Sequence, residues 1–397
     1  MDHYFRNDEI KKVPQKRLLL VGSQMTTGGA QRALLQLAQC FHDRGYSVIA
    51  AFFYDKDGIF EDWQKAYPFE LVNLDAWDKH EKKLSRFLRL FKGLQKLYCL
   101  IRKEKISFVI SFTHHSNLLA IPMAWMAGVP VRVATHRGKI YGFPRWQEKL
   151  HTRMINSGIA SALLAVSEST RKDAIEEGVE PERVFVIPNG VDSPDLDEKA
   201  GCQVRQSLGI RSDQKVFFYA GRLNYEKGPD LLLKAFAEVI NAVPDSILLL
   251  AGDGPMRLEL EELAQSLKIS ERIIFLGVRN DVPELMAAAD VFVLSSRTEG
   301  MPNAVLEAMA LSTPVVAFEV GGVRDLLQDG VTGKFSLPAD PHSLARSMIE
   351  LGHDEEKRRK LALAGKKFVD ENYRLDKVCK MYEDFLSSLF HRGAGLS

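Results

Sequence analysis

The stretch Asp290-Val291-Phe292-Val293-Leu294-Ser295-Ser296-Arg297-Thr298-Glu299-Gly300-Met301-Pro302-Asn303-Ala304-Val305-Leu306-Glu307-Ala308-Met309-Ala310 decides the reading of this chain. Asp290 to Leu294 predicts a buried strand. The run after Pro302 predicts a helix, because proline suits the first helical turn and Ala, Leu, Glu and Met propagate it. Glu299 then lies in a loop at the carboxyl end of a strand, and Glu307 on the helix that follows. In an open parallel sheet that crevice is where ligands bind. A helix N-terminus offers N–H groups to a phosphate, and carboxylates accept hydrogen bonds from hydroxyls such as those of a ribose or a hexose. The plain alternative is a loop carboxylate and a solvated helix residue.

Strand-like and helix-like runs alternate along the rest of the chain, the signature of parallel α/β sheets. Strands are expected at Arg17 to Gly22, Ser47 to Phe53, Ile106 to Phe112, Val131 to Thr135, Ala162 to Val166 and Val184 to Ile187. A second set is expected at Val216 to Ala220, Ser246 to Ala251, Arg272 to Leu276, Asp290 to Leu294 and Pro314 to Phe318. Each half repeats the same order of strand, glycine and helix. Between them Pro188 to Ser212 reads as a linker. The expected division is a lobe over 1–192, a linker over 193–213, a second lobe over 214–374 and a final helical segment over 375–397. That helix, Leu375 to Leu389, carries Val378, Met381, Tyr382, Phe385 and Leu389 on one face.

A net charge of +1 gives no global attraction to nucleic acid. Cys40, Cys99, Cys202 and Cys379 form no C-x-x-C pair, which argues against a zinc site or disulfide framework and fits a reducing compartment. Met1 to Gln15 is polar and has no apolar core of a secretory signal. No uncharged run approaches the roughly twenty apolar residues of a membrane span. These features predict a cytoplasmic protein, soluble or peripheral on the inner face of the plasma membrane.

The expected strand ends carry the chemistry. Gly221-Arg222-Leu223 with Glu226-Lys227-Gly228 supplies a planar fork of donors and a compact charge, suited to a diphosphate. Gly252-Asp253-Gly254-Pro255 and Gly277-Val278-Arg279 end the next two strands. Gly28-Gly29-Ala30-Gln31-Arg32 opens the first lobe and permits close backbone approach to an anion. His136 closes a strand at Ala134-Thr135-His136-Arg137-Gly138, and His114 and His115 follow Ser111-Phe112-Thr113. Each has a plainer reading, as turn glycines, surface cations or hydrogen-bonded core histidines. Ser167 reads as a helix cap and Asn189-Gly190 as the turn between lobes.

In combination these segments resemble the retaining glycosyltransferases of the GT-B fold, family 4, the glycosyl transferases group 1, over nearly the whole chain. The resemblance implies two Rossmann-like lobes facing a cleft, with the last helix crossing back to the first lobe. It implies that Arg222 and Lys227 neutralise the donor diphosphate, that Glu299 contacts the transferred sugar and that Glu307 grips the ribose. It places Gly28, Gly29, Gly252, Val278, Gly300, Met301, Asn303, Val305 and Leu306 around the donor, largely through backbone. His136 corresponds to an active-site histidine, with His114 and His115 on the acceptor side. Gln31 stands where the family has glutamate, so only a hydrogen bond survives there.

The expected reaction moves a hexose from a nucleotide sugar, UDP- or GDP-linked, to a hydroxyl of a glycan or lipid-linked acceptor with retention. It needs no metal and no cofactor. The one Asp-x-Asp, Asp195-Leu196-Asp197, falls in the linker and reads as solvated loop. A catalytically silent nucleotide-sugar-binding protein is the alternative. A phosphorylase of the same fold would need a pyridoxal-bound lysine and a longer chain. Base, sugar and acceptor stay open. Glu81 to Lys105 holds nine Lys or Arg against two Glu, with Leu84, Phe87, Leu88, Phe91, Leu94, Tyr98 and Ile101 at helical spacing. It reads either as a core-packing helix or as one lying on anionic lipid.

Overall fold

Near-continuous apolar runs are what parallel strands covered on both faces require. A computed structural model describes residues 16–26, 28–78, 80–138, 144–194 and 196–394. The polar N-terminal stretch and Asp195 of the Asp-x-Asp lie outside the described residues.

In the first lobe, strands β1 (Arg17–Met25), β2 (Ser47–Asp55), β3 (Glu70–Asn73), β4 (Phe108–Phe112), β5 (Val131–His136), β6 (Ala162–Ala165) and β7 (Val184–Val186) form one parallel sheet. Its order is β3-β2-β1-β4-β5-β6-β7. Helices α1 (Gly29–Asp43), α2 (Phe60–Ala66), α3 (Lys83–Lys103), α4 (His114–Met126), α5 (Arg145–Asn156) and α6 (Glu168–Glu176) cross over between strands, and α7 (Ala200–Ser207) follows. The second lobe contains β8 (Lys215–Ala220), β9 (Ser246–Ala251), β10 (Ile273–Gly277), β11 (Val291–Leu294), β12 (Val315–Phe318) and β13 (Lys334–Ser336). They pair in parallel in the order β10-β9-β8-β11-β12-β13. Its helices are α8 (Pro229–Ala242), α9 (Arg257–Ser266), α10 (Val282–Ala288), α11 (Asn303–Ala310), α12 (Val323–Leu326), α13 (Pro341–His353) and α14 (Glu355–Asn372), and α15 (Leu375–Ala394) ends the described chain.

Both sheets are doubly wound. The order reverses between β1 and β4 in one and between β8 and β11 in the other. A crevice opens at each reversal, because the helices following the two central strands leave to opposite faces. The expected site residues follow these strands: Gly28 after β1, His114 after β4, Arg222 after β8 and Glu299 after β11. Central strand β8 buries Phe217, Phe218 and Tyr219 completely, with Phe236 of α8 and Phe292 of β11 also fully buried in the same core. Edge strands β3 and β13 were not expected. They are four and three residues long, with polar ends, and leave little alternation to read.

The expected linker also departs from the reading. Part of it is helix α7, which packs on α10. Gly201 lies so close to Ala287 that an added Cβ would sit 2.5 Å from its carbonyl oxygen. Arg205 anchors the same helix, donating to the Ala288 carbonyl at 2.8 Å and to Asp290 at 2.7 Å. Ser167 does cap α6, accepting from Thr170 N while Thr170 Oγ1 accepts from Ser167 N.

Two strands of chain join the lobes, and they pair with each other. Val191 N donates to the Tyr373 carbonyl at 2.9 Å, and Leu375 N to the Val191 carbonyl at 3.0 Å. Beyond this point α15 returns to the first lobe, where Val378, Cys379, Tyr382 and Leu386 join the core with Leu34 and Phe41 of α1. Arg44 of α1 ties it at the surface, to Glu383 at 3.2 Å and to the Asp376 carbonyl at 2.7 Å. Gly190 makes the double crossing possible, since a Cβ there would lie 2.8 Å from Leu375 Cα. Gly190→Ala therefore forces the crossings apart. We expect it to lower stability by about 1–3 kcal/mol, read as a fall in Tm, with both lobes still folded by circular dichroism.

Candidate active site

The glycine-rich loop of the first lobe faces the cations of the second. A Cβ on Gly28 would lie 3.8 Å from Arg222 Nη2, and one on Gly29 would lie 3.6 Å from Asn303 Nδ2. Asn303 Nδ2 donates to the Gly29 carbonyl at 3.1 Å. Gln31 is buried and donates to the Gln24 carbonyl at 3.1 Å, so its amide braces the loop without a charge.

The second lobe holds its carboxylates in different ways. Glu299 is buried in the loop after β11, paired with Lys227 Nζ at 2.7 Å and accepting from Ser296 Oγ at 2.6 Å. Lys227 ends a single 3-10 turn capped by Asn224, and Ser295 Oγ fixes its carbonyl at 3.1 Å. Gly228 follows at φ 60°, where a Cβ would strike the Ser295 carbonyl at 2.1 Å. Only glycine meets both conditions. Glu307, on α11, pairs across the cleft with Arg32 at 2.8 Å.

Backbone packs tightly around this loop. A Cβ on Gly252 would meet the Gly221 carbonyl at 1.9 Å, and one on Gly300 the Arg137 carbonyl at 2.0 Å. Gly252 N donates to the Gly277 carbonyl at 2.7 Å, leaving exposed Val278 at the rim beyond. Met301 is buried, its carbonyl accepting from Asn189 Nδ2 at 3.3 Å. Val305 and Leu306 point into the core, and their N–H groups already donate to the Pro302 carbonyl at 3.2 and 3.4 Å. The expectation that these two amides line the phosphate thus meets a competing partner. By helix geometry the outward amides of this turn belong to Asn303 and Ala304.

Between the lobes a cavity of about 220 Å³ lies between His114, His136 and His151 of the first lobe and Lys227 and Glu299 of the second. His136 is 8 % exposed. Its Nδ1 accepts a long hydrogen bond from Gly138 N at 3.5 Å, which leaves Nε2 facing Glu177 Oε2 at 3.4 Å. His114 packs on His151, ring centroids 4.5 Å apart. His115 is exposed and does not line this cavity. His151 and Glu177 were not singled out in the sequence. Nothing local marks them: His151 is one polar residue in an amphipathic helix, and Glu177 ends another. Arg32 carried no assigned role, and Asn189 was read only as part of the turn between lobes.

His151 and His114 are held toward the neutral form. Burial, reinforced by His114 and His136, pushes His151 down to about 3, and burial with His115 pushes His114 to about 4. Geometry agrees for His151. Asn117 Nδ2 donates to the Thr135 carbonyl at 2.9 Å and sits 3.1 Å from His151 Nε2, which must therefore accept. An unfolded histidine takes its proton near pH 6.5, so acid favours the unfolded chain. Stability should fall as pH drops below about 6.5 and continue falling toward pH 3, by roughly 4 kcal/mol for His151 alone. Urea melts at several pH values check this, and His151→Gln should flatten the acid limb.

Among the described residues no group of three His, Cys, Asp or Glu could hold a metal ion. Comparison with known proteins places both lobes in families. The model of glycosyl transferases group 1 matches residues 203–368, and that of glycosyltransferase family 4 matches residues 27–193. UDP-Gal:alpha-D-GlcNAc-diphosphoundecaprenol alpha-1,3-galactosyltransferase of Escherichia coli is 31% identical over 66% of this chain and 71% of its own length. N-acetyl-alpha-D-glucosaminyl L-malate synthase of Bacillus anthracis is 30% identical over 58% of this chain and 61% of its own. In fold the chain is similar to Anabaena HepE, solved with UDP and glucose, at a TM-score of 0.81 and 24% identity, over 94% of this chain and 99% of that one. TarM of S. aureus gives 0.75 at 12% identity, over 94% and 99%. The chain belongs to the glycosyl transferases group 1 and is a GT-B glycosyltransferase of family 4.

Proposed function

We propose that this glycosyltransferase is a retaining, metal-independent hexosyltransferase that uses a UDP- or GDP-linked hexose and a hydroxyl of a glycan or lipid-linked acceptor. One observation carries the reading: Arg222, Lys227, Glu299 and Glu307 all follow the two switch-point strands of the second lobe, opposite the glycine-rich loop of the first, each carboxylate already paired with a cation. A nucleotide diphosphate supplies the anion that Lys227 needs in order to release Glu299. Arg222 and Lys227 then stabilise the leaving diphosphate. In the group-transfer step the acceptor oxygen bonds to the anomeric carbon as the bond to the diphosphate oxygen breaks. The acceptor proton passes to that diphosphate on the same face, which keeps the configuration. His136, with its ring nitrogens facing Gly138 and Glu177, is a binding group for the transferred sugar rather than the base.

The name of the Escherichia coli relative gives UDP-Gal as donor and a diphosphoundecaprenol-linked sugar as acceptor, which supports a UDP-hexose and a glycan or lipid acceptor. Free thiols at all four cysteines suit a cytoplasmic setting. A silent binding protein is disfavoured, because Gln31, its only hint, serves the loop. Hydrolysis of a panel of nucleotide sugars, followed by NMR of the transferred anomer, tests the proposal. An inverted product would overturn retention. Turnover should also persist in EDTA, and loss restored by magnesium or manganese would remove metal independence.

The two glutamates should separate in kinetics. Ribose contacts are equal in ground and transition states, whereas contacts to the transferred ring strengthen as it gains positive charge. Glu307→Gln should raise donor KM with kcat little changed. Glu299→Gln should lower kcat, and Lys227→Ala should lower it by the equivalent of about 2–4 kcal/mol. Steady-state kinetics at saturating acceptor would show the roles exchanged if the pattern reversed.

A further inference from the structure

Family membership leaves open whether the acceptor comes from water or from a membrane, and helix α3 bears on this. Its 21 residues bury only Gly93, Leu97 and Ile101. Those three share one side, against Ala76 and the core of the first lobe. Leu84, Phe87, Leu88 and Phe91 form a different stripe, about a third of a turn away around the helix. They are 73, 66, 53 and 62% exposed. A helix that only packed on the core would put its large apolar residues on the core side, as Leu90, Leu94, Leu97, Leu100 and Ile101 are. These four face solvent instead, at i, i+3, i+4 and i+7, flanked by exposed Lys83 and Lys92. An apolar stripe between lysines is the form of a helix lying in a lipid interface.

The position of the stripe is fixed by contacts. Lys96 Nζ donates to the carbonyl of Asn73, the last residue of β3, at 2.6 Å. Arg89 pairs with Asp75 at 2.6 Å and Glu81 at 2.5 Å. Since α3 follows β3 and precedes β4 in a parallel sheet, its N-terminal half lies toward the carboxyl edge. That edge carries His114 and His136. Helix α5 starts at the same edge and exposes Trp146 and Leu150, with Arg145 and Lys149 beside them. No helix among the described residues is long and apolar enough to cross a membrane.

We infer that the N-terminal half of α3, with the start of α5, docks on an anionic bilayer and presents the acceptor cavity to it, so that the acceptor is lipid-linked. This rests on the proposed transferase reading for the cavity, but the docking does not. The stripe enters the interface, Lys83 and Lys92 meet lipid phosphates, and the cavity opens along the same edge.

Flotation of the intact protein with phosphatidylglycerol–phosphatidylethanolamine vesicles, and with phosphatidylcholine vesicles, tests the docking. Binding is expected on the anionic vesicles at low salt, weakened by high salt and absent on phosphatidylcholine. Lys83→Glu with Lys92→Glu should weaken partitioning at least about tenfold. Phe87→Ser with Phe91→Ser should abolish it while leaving the Tm and donor hydrolysis unchanged, because all four side chains lie outside the cleft. No flotation on anionic vesicles at low salt overturns the inference, as does unchanged binding by the Phe87/Phe91 variant. A dimer of the parent protein that this variant dissolves would instead assign the stripe to a second copy. Flotation needs no turnover, so a failed transferase assay with intact flotation removes only the functional reading.

Discussion

The width of the cleft is set where Gly300 meets the backbone of Arg137 and Gly138, because a single methyl group on Gly300 would lie 2.0 Å from the Arg137 carbonyl oxygen. Everything that crosses the cleft depends on that approach. It brings Glu299 and Lys227 to the same cavity as His136. It also allows a run of amides from one lobe to the other: Arg137 donates to Asn189, Asn189 to Asn303 at 2.6 Å, and Asn303 to the Gly29 carbonyl. Buried groups in such a run must stay satisfied, or each costs about 1–3 kcal/mol. Arg137 is held further by the face of Phe112, 4.8 Å away, and by Tyr382 of the returning helix. The crossing α15 is therefore joined to the geometry of the site as well as to the core.

Charge balance is the second constraint. A buried carboxylate without a partner is costly, and Glu299 and Glu307 each face a cation, Lys227 and Arg32. On the proposed reading the two pairs differ in what a donor would do to them. Lys227 and Glu299 come from the same lobe, so a diphosphate that drew Lys227 away would free Glu299 with no movement of the lobes. Arg32 and Glu307 come from opposite lobes, so hydroxyls that took Glu307 would remove a tie across the cleft.

The second lobe's part of the candidate site was legible as a cluster because its chemistry is local. A strand, a glycine, and a cation or carboxylate within a few residues define Arg222, Lys227 and Glu299, and parallel sheets force such loops to one edge. The first lobe's part of the site was less legible for the same physical reason. Its cavity draws on His151 from the middle of α5 and Glu177 just past α6, with Asn117 of α4 against His151, and only tertiary packing brings them together. Interlobe partners such as Arg32 with Glu307 are 275 residues apart. Short edge strands and helix α7 escaped because their apolar periodicity is too brief to stand out from loop.

The stripe on α3 shows how sequence and structure divide the work. Periodicity in Glu81 to Lys105 established an amphipathic helix, but it merged two apolar faces into one. Leu97 and Ile101 belong to the core, while Leu84 and Phe87 do not. The two sets differ by about a third of a turn, less than a list of spacings reveals and enough to turn one toward the sheet and the other toward solvent. The solvent-facing set lies in the N-terminal half of α3, toward the carboxyl edge of the sheet. Parallel strands place the loops that carry His114, His136 and Glu299 at the carboxyl edges of their sheets, so the start of α3 and the first-lobe part of the candidate site share one edge because each crossover helix begins there.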